Sequence, residues 1–304
     1  MSQTSKQYPL HDCALYKVRT KRRLAKLLNM SSSDIRRIEQ VIEYHEFERP
    51  KKKGVGKRRI TAPERPLKRI QSRVLRLLSG IEKPFWVVSS TKGMCHIDNA
   101  PMHKNNPYVL TMDIASFFDN CERDYVYRFF RDTLLAEPDC AKILTDICTF
   151  KNGIPTGTPT SQLLAYLAYK DMFDEINSFA QARGMLFTLY VDDMTFSSPV
   201  PFPPDSVENG VRIILRRYGH KSHPKKCKYS GASDYKVITG VCITPEKRLS
   251  VPNSLRERTI DGFEKQLNTP TEKGRSSTLG RIQAARRIEE NIFPEVERLT
   301  RASL

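Results

Sequence analysis

The sequence predicts an α+β fold on three observations. Past Gly93, short runs of β-forming residues alternate with long stretches of helical periodicity. Two of those short runs, Tyr108 to Met112 and Phe187 to Val191, end in aspartates. The chain of 304 residues is long enough for one large or two modest cores. Strands alternating with crossover helices imply a layer of sheet and helix. There is no internal repeat and no long low-complexity segment.

Lys21 to Tyr44 has a helical pattern, with Leu24, Leu27 and Leu28 followed by Ile35, Ile38, Val41 and Ile42 across the cap-like run Ser31 to Asp34. It resembles a helix-turn-helix, a spacing shared by plain helical hairpins, and is read as an N-terminal helical extension over residues 1–50. Residues 49–59 are too charged and glycine-rich for a core element and suit an exposed hairpin tip or loop. An amphipathic helix follows, with Leu67, Ile70, Val74, Leu77, Leu78 and Ile81 on one face. Then come a strand at 108–112, a helix at about 123–150, a loop at 151–159 and a helix at 161–182. A strand–turn–strand at 186–196 leads to a helix at 207–218 and short strands at 237–243 and 249–251. The last fifty residues or so read as basic helices interrupted near 268–277.

Composition bounds the partners. The chain has 51 Lys and Arg against 34 Asp and Glu, a net charge of +17 spread along its length, which suits a polyanion. Seven scattered cysteines, without a C-x-x-C pair, point to reduced thiols and a cytoplasmic protein. The start lacks a signal-like apolar stretch, and no run is long and apolar enough to span a bilayer, so no membrane is expected.

Chemistry concentrates on the carboxylates. Asp192 and Asp193 stand between runs of β-formers, where a hairpin turn exposes both side chains without burying charge in a strand. A bare Asp-Asp is usually only a turn, but Asp113 closes a second strand in similar company. Strand-end acids converge when their strands are neighbours, giving an oxygen-rich site for hard Mg²⁺ ions. Two such ions about 4 Å apart serve in-line phosphoryl transfer.

Tyr190-Val191-Asp192-Asp193 resembles the signature box of reverse transcriptases, and Asp113-Ile114-Ala115-Ser116-Phe117-Phe118 their first palm box. The resemblance implies a right-hand polymerase with fingers (51–107), a ferredoxin-like palm (108–250, with interleaved fingers helices at about 123–155) and a short helical thumb (251–304). It implies that Asp113, Asp192, Asp193 and the Ile114 carbonyl hold two Mg²⁺ ions, with Mn²⁺ a substitute. Phe118 would stack under the incoming sugar and reject a ribose 2′-hydroxyl; the bland alternative is a core Phe.

Gly153 to Gln162 resembles the template-grip and nucleotide loop, with Thr156 where the family usually has Gln and Gln162 where it has Pro; Thr156 and Gly157 are its nucleotide-contacting candidates. Arg59 to Pro63 resembles the fingers box, nominating Arg59 for the triphosphate beside Lys57 and Arg58. His223 to Cys227 resembles the box whose Lys protonates pyrophosphate: Lys226 fits best, with Lys225 the alternative. His220, His223 and Cys227 lack a fourth ligand and are not read as structural zinc.

Asn99-Ala100-Pro101-Met102-His103 and Ile238-Thr239-Gly240 resemble two elements of retron reverse transcriptases, bacterial RNA-directed DNA polymerases. Such an enzyme copies a structured non-coding RNA into single-stranded DNA from deoxynucleoside triphosphates. It primes from a guanosine 2′-hydroxyl, leaves a branched RNA–DNA hybrid, and serves phage defence with an effector protein. The thumb would track duplex backbone through Arg256, Arg258 and Lys265. The alternatives are a diversity-generating or intron-derived reverse transcriptase, or a polymerase-shaped scaffold that binds RNA without synthesis.

Overall fold

Capping chemistry sets the first helices, α1 (Lys21–Leu28) and α2 (Ser32–Arg36). The hydroxyls of Thr20 and Ser31 accept from the amides of Arg23 and Asp34, satisfying donors that an open helix end leaves free. In the computed structural model, residues 7–50 and 56–303 are described; residues 51–55, part of the segment expected to be an exposed tip or loop, and the Arg58 side chain lie outside them. The helical reading of Lys21 to Tyr44 needs correction at its end. After one 3₁₀ turn at Ile38–Gln40 the chain becomes strand β1 (Tyr44–Pro50), antiparallel to β2 (Lys57–Pro63). The β-formers Ile60 and Thr61 give the backbone of 44–50 a ladder partner, which outweighs local helical periodicity.

Helix α3 (Arg65–Leu78) buries Leu67, Ile70, Val74, Leu77 and Leu78 along one stripe. Next come α4 (Asn99–His103) and β3 (Tyr108–Asp113). The single helix expected at 123–150 is broken: α5 (Arg123–Arg128) runs into a π-helical turn, and Leu135 at φ 53° separates it from α6 (Pro138–Cys148). Tyr169 likewise divides α7 (Ser161–Ala168) from α8 (Lys170–Gln181). The rest comprises β4 (Leu186–Tyr190), β5 (Asp193–Ser198), α9 (Pro204–Arg217) and β6 (Lys228–Ser230). Then follow β7 (Lys236–Ile238), β8 (Val241–Ile243), β9 (Leu249–Ser250), α10 (Asn253–Asn268), α11 (Glu272–Arg286) and α12 (Pro294–Ala302).

The chain divides into two compact units. One comprises Met1–Gly93, Ile114–Phe179 and Asn209–His223; the other comprises Met94–Asp113, Ala180–Glu208 and Pro224–Leu304. The second holds a four-stranded antiparallel sheet in the order β4-β5-β3-β6. Its strands and the intervening helices follow one another as βαββαβ, and that order is the ferredoxin-like arrangement expected of the palm. One sheet face is apolar and buried, carrying Leu110, Met112, Phe187, Leu189, Met194 and Phe196. The pleat puts Asp113, Asp193, Thr111 and Thr195 on the other. Among the described residues no helix is long and apolar enough to cross a membrane, and all seven cysteines are free thiols.

Candidate active site

The acids meet because of strand register. Tyr190 pairs with Asp193, so the β4–β5 turn consists of Val191 and Asp192 alone. Val191 takes φ 61°, a left-handed conformation that costs a β-branched residue about 1–3 kcal/mol and recurs at functional turns. On the neighbouring strand Asp113 is the register partner of Asp193. Asp113 is buried, while Asp192 and Asp193 are half-buried, so the tip is less open than the sequence implied. Lys226, in a 3₁₀ turn at Pro224–Lys226, places Nζ 2.7 Å from Asp113 Oδ2.

Burial and like charge act together on these acids. The Asp193 carboxyl is pushed up to about 6 by burial and then by the charges of Asp192 and Asp113, against which Lys226 acts in the opposite sense. Crowded carboxylates that raise one another's proton affinity are a donor set that hard divalent cations relieve, and the Lys226 ammonium already stands as a cation against Asp113. In donor chemistry, carboxylate oxygens on neighbouring strands suit such ions. Among the described residues no three His, Cys, Asp or Glu side chains are gathered closely enough to hold a metal ion. Ile114 begins the next stretch of chain, buried, its backbone bridged to Ser222.

Two sequence elements beside the sheet acquire a physical role. His103, fully buried, ties both strands of the β4–β5 hairpin together. Thr188 Oγ1 donates to Asn99 Oδ1 (2.6 Å), so its lone pair receives His103 Nε2–H (2.7 Å). His103 Nδ1 then accepts from Ser197 Oγ (2.7 Å), which accepts from Asn106 Nδ2 (2.8 Å). Burial disfavours the imidazolium and pushes the His103 pKa down to about 3, so the ring is neutral and has one N–H for the two hydroxyls. Thr239 Oγ1 donates to the His96 carbonyl (2.5 Å), and the His96 ring meets Tyr190 edge-on at 6.4 Å. Ile97, Ala100, Val109, Ile238, Val241 and Ile243 form the core beneath.

The other predicted residues gather in the first unit. Arg59, Phe118 and Thr156 line a cleft of about 410 Å³. Phe118 is half-buried there, whereas Phe117 is core, packed against Tyr169, Phe173 and His220. Gly157 donates its amide to the Thr61 carbonyl (3.1 Å), and a Cβ there would lie 2.4 Å from that oxygen, so the loop-to-hairpin approach requires glycine. Sequence reasoning missed Glu46 and Lys151 in this cleft. The available signal was the alternation of Glu46 and Glu48 opposite a basic strand. In the second unit Arg256 is bound to Glu289, Ser250 and the Val251 carbonyl, so it braces the start of α10.

Residues 50–243 match the family described as reverse transcriptase (RNA-dependent DNA polymerase). The Retron Ec86 reverse transcriptase of Escherichia coli is 30% identical over 199 residues, 64% of this chain and 62% of that protein. The Retron Ec48 reverse transcriptase of Escherichia coli is 27% identical over 227 residues (69% and 55%). The Retron Se72 reverse transcriptase of Salmonella heidelberg (strain 579083-10) is 25% identical over 174 residues (57% and 46%). The chain thus spans 46–62% of the length of these relatives. A solved apo telomerase from Candida Tropicalis, truncated from the C-terminal domain, shares the fold at TM-score 0.50 and 13% identity, covering 70% of this chain and 55% of that one. With its acids on adjacent strands of a ferredoxin-like sheet and a match across most of its length, the chain belongs to the reverse transcriptase (RNA-dependent DNA polymerase) family and resembles its retron members.

Proposed function

We propose that this protein is an RNA-directed DNA polymerase of the retron kind, acting in the cytoplasm. The observation that carries the reading is the register of Asp113 beside Asp193, with Asp192 at the tip of the next turn. Asp113, Asp192, Asp193 and the Ile114 carbonyl would hold two divalent cations, Mg²⁺ first and Mn²⁺ as substitute; when bound, these supply charge neutralisation at phosphate and a more acidic primer hydroxyl. Arg59 receives the triphosphate, and Thr156 and Gly157 shape the wall beside it. Phe118 fills the space of a ribose 2′-hydroxyl. As the hydroxyl oxygen bonds to the α-phosphorus, its proton passes to solvent water and the bond to pyrophosphate breaks. Lys226 Nζ gives a proton to that leaving oxygen. In this assignment the β1–β2 hairpin belongs to fingers, the four-stranded sheet to palm and α10 to α12 to thumb.

The names of the curated relatives support the retron reading, and the following goes with it. The template is a structured non-coding RNA, the primer a guanosine 2′-hydroxyl within it, and the product a branched RNA–DNA hybrid used in phage defence with an effector protein. The test is extension of a primed RNA template. Asp192→Asn and Asp113→Asn should each fall below about a thousandth of wild type, since loss of metal stabilisation costs several kcal/mol, with fold and RNA binding retained. Extension above that level contradicts the assignment. With its own RNA the wild type should leave DNA carrying a ribonucleotide branch that debranching enzyme releases. Elongation only from a 3′-hydroxyl removes the retron reading and leaves the polymerase reading standing.

A further inference from the structure

The cleft that holds Arg59, Phe118 and Thr156 already contains an anion, and it belongs to the protein. Glu46 on β1 faces Thr61 across the hairpin, with Arg59 on its diagonal. Its Oε2 accepts from Arg59 Nη2 (2.5 Å) and from Lys151 Nζ (3.1 Å), and its Oε1 accepts from Thr61 Oγ1 (3.3 Å). Arg59 holds the Glu46 carboxyl below the usual range, with Lys151 adding to the effect. Lys151 reaches this point from a distant loop, at φ 55°, with its ammonium 5.1 Å from the Phe150 ring centroid. A guanidinium, an ammonium and a hydroxyl converging on one carboxylate are also the partners a phosphate group takes. Isolated surface ion pairs form on any basic protein and mean little. Here one carboxylate gathers cations from a strand and a separate loop, inside a cleft of about 410 Å³.

We propose that Glu46 is a resident counter-anion of this cleft: it engages Arg59 and Lys151 until the triphosphate of an incoming nucleotide displaces it, and it returns when pyrophosphate leaves. The proposal rests on reading the cleft as the nucleotide site, and it makes Lys151 a second phosphate-binding residue. Binding is then an exchange, in which the Glu46 contacts are lost as the phosphate contacts form. Affinity is lower than the two cations alone would give, and salt, which screens both sets of contacts, changes it only weakly.

The test compares wild type with Glu46→Gln, which keeps shape and removes charge. The variant should lower KM for deoxynucleoside triphosphate about two- to fivefold, the range of exposed ion pairs. It should lower the inhibition constant of inorganic pyrophosphate by a similar factor and make KM climb more steeply with salt. Lys151→Ala should raise KM. An unchanged or raised KM in Glu46→Gln overturns the proposal, because Glu46 would then only hold the cations in place. Arg59→Ala separates the two layers. If it raises KM while Glu46→Gln does nothing, only the counter-anion role falls. If Arg59→Ala leaves KM unchanged, the nucleotide reading of the cleft falls with it.

Discussion

Phe117 and Phe118 are chemically identical and adjacent, yet only one is core. Phe117 is 3% exposed within an aromatic cluster, while Phe118 opens a 3₁₀ turn after Ser116 (φ 48°) and borders the cleft. Phe118→Ala should therefore leave the fold intact and raise incorporation of ribonucleotides over deoxynucleotides by about 10- to 100-fold, the discrimination a steric pocket supplies. Competitive incorporation assays read this ratio; an unchanged ratio in an active variant would return Phe118 to a packing role. Phe117→Ala should instead cost about 3–5 kcal/mol of stability. The sequence carried Phe118 only through its place after Asp113. Which of two neighbouring rings faces a cleft depends on the left-handed Ser116, and nothing in local periodicity shows that.

Elements divide in the same way between pattern and partner. The β3, β4 and β5 strands were legible because alternation and terminal acids mark them, as was α3 through its apolar stripe. By contrast β1 was invisible, since Tyr44 to Pro50 becomes a strand by pairing with β2, and β6 has only three residues. The Asn99–His103 element was legible as a family mark but silent about mechanism. The structure makes it a brace under the hairpin of Asp192 and Asp193, and that brace has a pH signature. Free histidine titrates near 6.5, whereas buried His103 sits at about 3, so between these values the unfolded chain holds a proton that the folded chain lacks. The stability from neutral His103 is complete above about pH 6.5 and drains away as pH falls toward 3. The loss should reach about 2 kcal/mol by about pH 5. Denaturant unfolding of wild type and His103→Asn across this range measures it: the variant should lack that part of the slope. Parallel pH profiles would mean that His103 remains protonated in the fold.

At the scale of the whole molecule, charge decides what the surface can do. If each of the 34 acidic residues neutralises one cation, however they are shared, a surplus of 17 positive charges remains, because 51 minus 34 is 17. Several cations are in fact committed, including Lys226 to Asp113, Arg256 to Glu289, and Arg286 and Arg301 to Glu297, so the surplus lies in other side chains. A surplus of this size attracts a polyanion without reading its bases, and A-form RNA hides base edges in a deep, narrow major groove. Recognition of the template should therefore rest on folded shape and backbone charge. Each phosphate neutralised releases condensed counterions, giving a log–log salt slope of about −0.7 to −0.9 per contact. With six or more contacts, the slope for the structured RNA should be about −4 or steeper. Filter binding or anisotropy across a salt series reads this directly, using wild-type RNA and a version whose stems carry compensatory base-pair swaps. The two RNAs should bind alike at every salt concentration. A shallow slope would move the binding energy from charge to specific contacts, and affinity lost on the swapped stems would place those contacts on base edges.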